Sequence, residues 1–254
     1  MANLIICSVL VTGSNRGIGL ELVKTFLNKR NPPKYVFAAC RNPETAQELK
    51  SLTSKHSNLV NVKMDVTDKA SIEDAYSVVK ETLKGRGLNL LINNAGINVY
   101  HSADETTSED MMRVYETNTV GPMLVTQIFA PLLKKAAQEN PNEVMSCSKA
   151  AVIHTSSSLG SLESTTHLYP TALIEYRCSK TALNMLTRCQ AEAYKMYGII
   201  AVAFEPGWVQ TDMGGPKAEL KLHESVGGMM EVFDTLTEKH NGMFLDYKGL
   251  TLPW

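Results

Sequence analysis

An apolar run, Leu4-Ile-Ile-Cys-Ser-Val-Leu-Val11, feeds directly into Thr12-Gly-Ser-Asn-Arg-Gly-Ile-Gly19, and a helical pattern follows at once. A buried strand that glycines turn into a helix narrows the possible folds sharply. Gly13 permits a tight turn, Gly17 lets backbone approach a pyrophosphate, and Gly19 lets the helix pack against the strand. Unpaired amides at such a helix start attract an anion. Gly13, Ser14, Asn15, Arg16, Gly17, Ile18 and Gly19 are therefore candidate dinucleotide contacts, the competing reading being a glycine-rich turn that binds nothing. The same apolar run resembles the core of a secretion signal, but it lacks a basic start and a small-residue cleavage site, so a first strand is expected.

Periodicity places strands near 7–12, 35–40, 59–64, 88–93, 150–156, 199–205 and 242–246, with helices near 17–30, 43–56, 68–84, 108–137, 174–197 and 223–240. Strand and helix alternating in this way build a parallel sheet through right-handed crossovers. The expected fold is α/β: a single-domain Rossmann fold over 1–254, with a doubly wound seven-stranded parallel sheet and helices on both faces. A chain of 254 residues, 44% of them hydrophobic, can bury one substantial core, and no linker-like tract divides it. A net charge of −1 argues against a general nucleic-acid or anionic-membrane partner. No apolar stretch is long enough to cross a bilayer. Five cysteines without a CxxC pair suggest neither a disulfide framework nor a metal site, so a reducing, cytoplasmic setting is expected.

The end of the second strand, Phe37-Ala-Ala-Cys-Arg-Asn42, bears on cofactor choice. Cys40 stands where an acid would hold the 2′-hydroxyl of NAD, Arg41 follows it, and Arg16 lies inside the glycine turn. Two guanidiniums converging on a 2′-phosphate favour NADPH over NADH; otherwise both are solvated arginines.

Tyr176-Arg-Cys-Ser-Lys180 supplies proton-transfer chemistry, because residues four apart on a helix share a face. A phenol with a pKa of about 10 is a weak acid catalyst at neutrality, and an ammonium roughly 4 Å away would favour its ionised form by about 4 kcal/mol. A lowered tyrosine pKa is therefore expected. Tyr76-Ser-Val-Val-Lys80 carries the same spacing, and Ser57 precedes Tyr76 by the distance that separates Ser157 from Tyr176. It fails on context, since a strand near 59–64 intervenes and its helix precedes the Asn93–Gly96 turn.

Thr12–Gly19, Asp65, Asn93-Asn-Ala-Gly96, Asn118, Ser157, Tyr176 with Lys180, and Pro206-Gly-Trp-Val-Gln-Thr211 together resemble the short-chain dehydrogenases/reductases over nearly the whole chain. More narrowly, Cys40-Arg-Asn42, the run Pro206–Gly215 and the tail at Trp254 resemble sniffer-type carbonyl reductases. The resemblance implies NADPH-dependent reduction of small aldehydes, ketones or quinones. Tyr176 would donate the proton, Lys180 would support it, and both would touch the cofactor. Ser157 would orient the carbonyl, with Ser156 and Ser158 as one-residue register alternatives. Asn118 would hold a water in a proton relay, or merely satisfy a helix irregularity before Pro122. Asp65 and Val66 would lie beside the adenine, unless Asp65 is only a turn residue, and Asp68 is the better cap for the next helix. Asn94, Ala95 and Gly96 would line the adenine ribose, with Asn93 structural. Pro206 and Gly207 would end the sixth strand so that Val209 and Thr211 meet the nicotinamide and phosphates. A loop near 212–222 would cover the substrate, with Trp208 and Met213 in the pocket or in the core.

Glu163–Ile174 lengthens the spacing between Ser157 and Tyr176, but by less than the insertion of monomeric relatives, so a homodimer is implied. His167, Leu168 and Tyr169 would sit near the substrate mouth. Two other functions fit the same residues: oxidation of a secondary alcohol such as a steroid, and NADPH binding by a regulator without turnover.

Overall fold

The computed structural model describes residues 5–165 and 172–254. His167, Leu168 and Tyr169 lie outside the described residues. Seven parallel strands form one sheet: β1 (Ser8–Thr12), β2 (Tyr35–Cys40), β3 (Leu59–Lys63), β4 (Leu90–Asn93), β5 (Ala151–Thr155), β6 (Ile200–Glu205) and β7 (Phe244–Asp246), in the order β3-β2-β1-β4-β5-β6-β7. Helices α1 (Gly17–Leu27), α2 (Gln47–Lys55), α3 (Lys69–Leu83), α4 (Ser108–Tyr115), α5 (Gly121–Glu139), α6 (Ile174–Lys195) and α7 (Leu222–Phe233) connect them.

Alternation along β1 shows how the strands serve two cores. Val9 and Val11 pack with Phe26 of α1 and Phe233 of α7, whereas Leu10 packs with Val79 of α3 and Phe129 of α5. Both faces of a crossover-built sheet are covered, so its strands are nearly all apolar. This is the doubly wound Rossmann arrangement expected from periodicity. Chain order reverses between β1 and β4, which opens a crevice at their carboxyl ends.

The boundaries differ where backbone donors run out. The helix expected over 108–137 is interrupted by a π-turn at Glu116–Val120, followed by α5 with Pro122 in its first turn. Proline has no N–H to continue the ladder, and the wide turn absorbs the mismatch. The helix expected over 43–56 begins as a short 3₁₀ turn at Pro43–Thr45, and that over 223–240 stops at Phe233 before another 3₁₀ turn at Glu238–His240. Asp68 caps α3, its carboxylate accepting from the Ala70 amide at 3.0 Å.

Candidate active site

The crevice at the switch point is a cleft of about 1460 Å³. One end is the start of α1, where Arg16 occupies the cap position without a side-chain cap bond and no acidic residue stands in the first turn. The first helical amides therefore face the cleft without a protein anion, a fit for phosphate. Gly13 and Gly17 adopt φ of +65° and +56°, left-handed values that a Cβ would strain. A Cβ on Gly19 would lie 2.3 Å from the Gly13 carbonyl oxygen, so the helix docks on its own turn only because that atom is missing. Thr12 fastens this turn to the end of β4: its hydroxyl accepts from the amides of Asn94 and Ala95, both at 3.0 Å.

Gly13, Asn15, Arg16, Gly17, Ile18, Arg41, Asp65, Val66, Asn94, Ala95, Gly96, Ser157, Tyr176, Lys180, Pro206, Gly207, Val209 and Thr211 all line the cleft. Three expected residues stand behind its wall. Ser14 turns toward β2, its hydroxyl donating to the Ala39 carbonyl at 3.0 Å. Gly19 lies in the first turn of α1, and Asn118 is fully buried. Cys40 is buried at the end of β2 and burial pushes its thiol up, so a neutral group stands where an acid would select NAD. Arg41 beside it is exposed, while Arg16 is engaged across the cleft mouth with Asp212. Among the described residues, no cluster of three or more His, Cys, Asp or Glu side chains is arranged to hold a metal.

The other end is built on α6. Gly160 lets the loop after β5 touch this helix, a Cβ there falling 2.8 Å from the Lys180 backbone, and Thr181 donates to the Gly160 carbonyl at 2.9 Å. Ser156 turns inward to Asn184 at 2.6 Å, whereas the Ser157 hydroxyl reaches the Tyr176 phenol. The π-turn docks on the opposite flank of α6: Asn118 donates to the Ser179 hydroxyl at 3.0 Å and to the Ile97 carbonyl at 2.9 Å, while Thr119 donates to the Ser179 carbonyl at 2.9 Å. Lys180 Nζ lies 5.4 Å from the Tyr176 ring centre and donates to the Thr155 carbonyl at 2.6 Å. A Cβ on Gly96 would meet both Asn118 Oδ1 and Lys180 Nζ within 4 Å, at 3.3 and 3.8 Å, so these two groups flank one small space.

The electrostatics differ from expectation. Burial, with the Glu205 carboxylate second, pushes the Tyr176 phenol well above its ordinary range, and only the Ser157 hydroxyl acts against this. Desolvation therefore outweighs the help expected from an ammonium four residues on. Burial also pushes Lys180 down to about 8, against the pull of Glu205.

Glu205 is the functional candidate that periodicity missed. It ends the otherwise apolar β6, and its carboxylate accepts from the Ser158 amide; burial pushes the carboxyl up, against the pull of that amide, of the nearby Ser158 and Ser157 hydroxyls and of Lys180. A charged residue closing an apolar strand before Pro-Gly was the available signal. Tyr76, by contrast, lies on α3 and packs edge-on against Phe129 at 5.6 Å, outside the cleft.

The loop at 212–222 borders the cleft and is held down at several points. Trp208 Nε1 donates to the Gly214 carbonyl at 2.8 Å, Tyr100 donates to the Met213 carbonyl, and Val209 pairs with Leu220. Trp208 is half exposed, so it is not a core residue.

A dinucleotide-type crevice joined to a tyrosine, serine and lysine cluster defines the class: a Rossmann-fold oxidoreductase. Residues 8–221 match the family model for short chain dehydrogenases, and the chain belongs to that family. An NADPH-bound carbonyl reductase from chicken fatty liver is 53% identical, with a TM-score of 0.97 over 100% of this chain and 96% of that one. The carbonyl reductase Sniffer of D. melanogaster is 38% identical, with a TM-score of 0.94 over 98% of this chain and 100% of that one. An uncharacterised oxidoreductase of Schizosaccharomyces pombe is 32% identical over 265 residues, covering 96% of each chain.

Proposed function

We propose that the protein is an NADPH-dependent carbonyl reductase acting on aldehydes, ketones or quinones, with Tyr176 as proton donor. The observation that carries this reading is that Ser157, Tyr176 and Lys180 line one cleft whose far end is the uncapped start of α1. The names of the chicken and fly proteins support it. Arg41, with Arg16 once released from Asp212, would hold a 2′-phosphate, and the neutral Cys40 leaves no acid to repel it. The amides of residues 17–19 would meet the pyrophosphate, Asp65 and Val66 the adenine, and residues 94–96 its ribose. Val209 and Thr211 would hold the nicotinamide end.

When bound, the reduced nicotinamide supplies a hydride to the carbonyl carbon. The Ser157 hydroxyl donates a hydrogen bond to the carbonyl oxygen and fixes its position. Tyr176, protonated at neutral pH, delivers its proton to that oxygen as negative charge develops there. Lys180, pushed down to about 8, can pass a proton on near neutrality, and Asn118 beside it would hold the water that connects it to solvent. A phenol held this high is protonated near neutrality, the form that reduction draws on and alcohol oxidation does not.

The same reading makes 1–254 one NADP-binding domain whose loop at 212–222 closes over substrate. It includes a homodimer, supported by exposed Met112 on α4 and Met185 on α6, and a cytoplasmic setting, supported by five free cysteines. Consumption of NADPH with quinones, aromatic aldehydes, isatin and steroid ketones tests the activity. Tyr176→Phe should lower kcat at least about a hundredfold while NADPH fluorescence still reports binding. Loss through Tyr76→Phe instead would move the site to α3, and no turnover with any compound would leave a regulator.

A further inference from the structure

Glu205 places a carboxylate in the substrate end of the cleft, beside the hydroxyls that would hold the carbonyl oxygen. Strand β6 is otherwise apolar, and residues 200–204 are fully buried. Burying a charge is costly unless it is well bonded: burial pushes the Glu205 carboxyl up, and the Ser158 amide, the Ser158 and Ser157 hydroxyls and the Lys180 ammonium pull it back towards the ionised form that is present at mildly alkaline pH. Among the described residues no cation pairs with it directly, and the Lys180 ammonium pulls on it only from a distance. Lys180 Nζ is bonded to the Thr155 carbonyl, and the arginines bordering this region are paired elsewhere: Arg16 with Asp212, and Arg113 with Asp110 at 2.5 Å. Leu159, Leu173 and Trp208 supply the apolar remainder of the wall. A carboxylate in a partly apolar wall, without a direct ion-pair partner, acts through a lowered local dielectric, so its field reaches a charge carried by a bound substrate.

We propose that Glu205 selects substrates by charge, favouring carbonyl compounds that carry a cationic or hydrogen-bond-donating group near the carbonyl and rejecting those that carry a carboxylate there. The proposal rests on the carbonyl-reductase reading and names the substrate class of that site. The Ser157 hydroxyl lies close enough to Glu205 to pull on its carboxyl, so an incoming carbonyl must compete with the carboxylate for it. A substrate whose own N–H or ammonium engages Glu205 frees that serine for the carbonyl oxygen.

The test is a matched series: 4-(trimethylammonio)benzaldehyde, 4-methylbenzaldehyde and 4-carboxybenzaldehyde, assayed at pH 8 with NADPH in the wild-type protein and in Glu205→Gln. The amide oxygen of the glutamine can still accept from the Ser158 amide, so the loop keeps its anchor. The ratio of kcat/KM for the cationic over the anionic aldehyde should fall on the order of tenfold (about 1.4 kcal/mol) in the variant, whatever happens to the common rate. A ratio that stays within about twofold of the wild type overturns the proposal. Failure of the wild type to reduce even the methyl compound counts against the carbonyl-reductase reading instead. The charge preference then stands or falls on binding: quenching of bound NADPH fluorescence should report tighter binding of benzyltrimethylammonium than of benzoate, a preference that Glu205→Gln removes. Equal binding of the two ions by the wild type would overturn it there as well.

Discussion

At the scale of single residues, the site depends on atoms that are absent as much as on those present. A Cβ at position 19 would collide with the Gly13 carbonyl at 2.3 Å, and neither partner is a flexible side-chain tip. Gly19→Ala is expected to cost about 1–3 kcal/mol of stability, read from urea midpoints, and to weaken NADPH binding in the same variant. Arg41 makes a different demand, because it would act only on the 2′-phosphate. Arg41→Asp should raise KM for NADPH far more than for NADH, and equal effects on the two cofactors would remove it from the phosphate site. The backbone demands at Gly13, Gly17 and Gly19 were legible in the sequence because turn geometry is local. Ser14 was not: its hydroxyl is taken by Ala39 on a neighbouring strand, a partner 25 residues away.

At the scale of elements, α6 is the organising piece, and three non-local contacts set its position. The Ser157 loop docks through Gly160, the π-turn docks through Asn118 and Thr119, and β5 lies behind through His154. His154 is buried and its Nε2 donates to Gln190 Oε1 of α6 at 2.8 Å, and burial pushes its pKa down to about 4 from an ordinary 6.5. The folded state thus holds fewer protons than the unfolded chain between those values. The contribution is complete above about pH 6.5 and is lost as pH falls through about 4, by up to about 3 kcal/mol. Urea midpoints at pH 7 and pH 4.5 should diverge less in His154→Asn than in the wild type. Equal divergence in the two chains would show that other groups carry the acid sensitivity. Helical periodicity ran through 108–137 without a break, since a π-turn alters backbone hydrogen bonding rather than the polar pattern. Pro122 was the visible sign of it.

At the scale of the whole molecule, the cleft draws together chain segments from residue 13 to residue 222, and its two rims meet in the ion pair between Arg16 and Asp212. Both side chains are largely exposed, 67% and 75%, so the pair adds at most about 1 kcal/mol to stability. It does, however, occupy the arginine that a 2′-phosphate would need. Asp212→Asn should therefore tighten NADPH by up to about fivefold with little change in thermal midpoint, as measured by fluorescence titration. Weaker NADPH binding in that variant would mean that Asp212 itself supports the cofactor.

The sequence by itself determined the sheet, its parallel sense and the glycine turn, because strand and helix periods and turn sterics act over a few residues. It also distinguished Tyr176 from Tyr76, since the order of elements decides which helix faces the switch point. Only the tertiary structure decided the charge state of the site. Burial of the phenol and the approach of Glu205 raise Tyr176, where a lysine four residues on suggested the opposite, because desolvation is summed over neighbours from distant parts of the chain. The partners of Arg16 and Asn118 were settled the same way, by packing that brings Asp212 to the start of α1 and the π-turn onto α6.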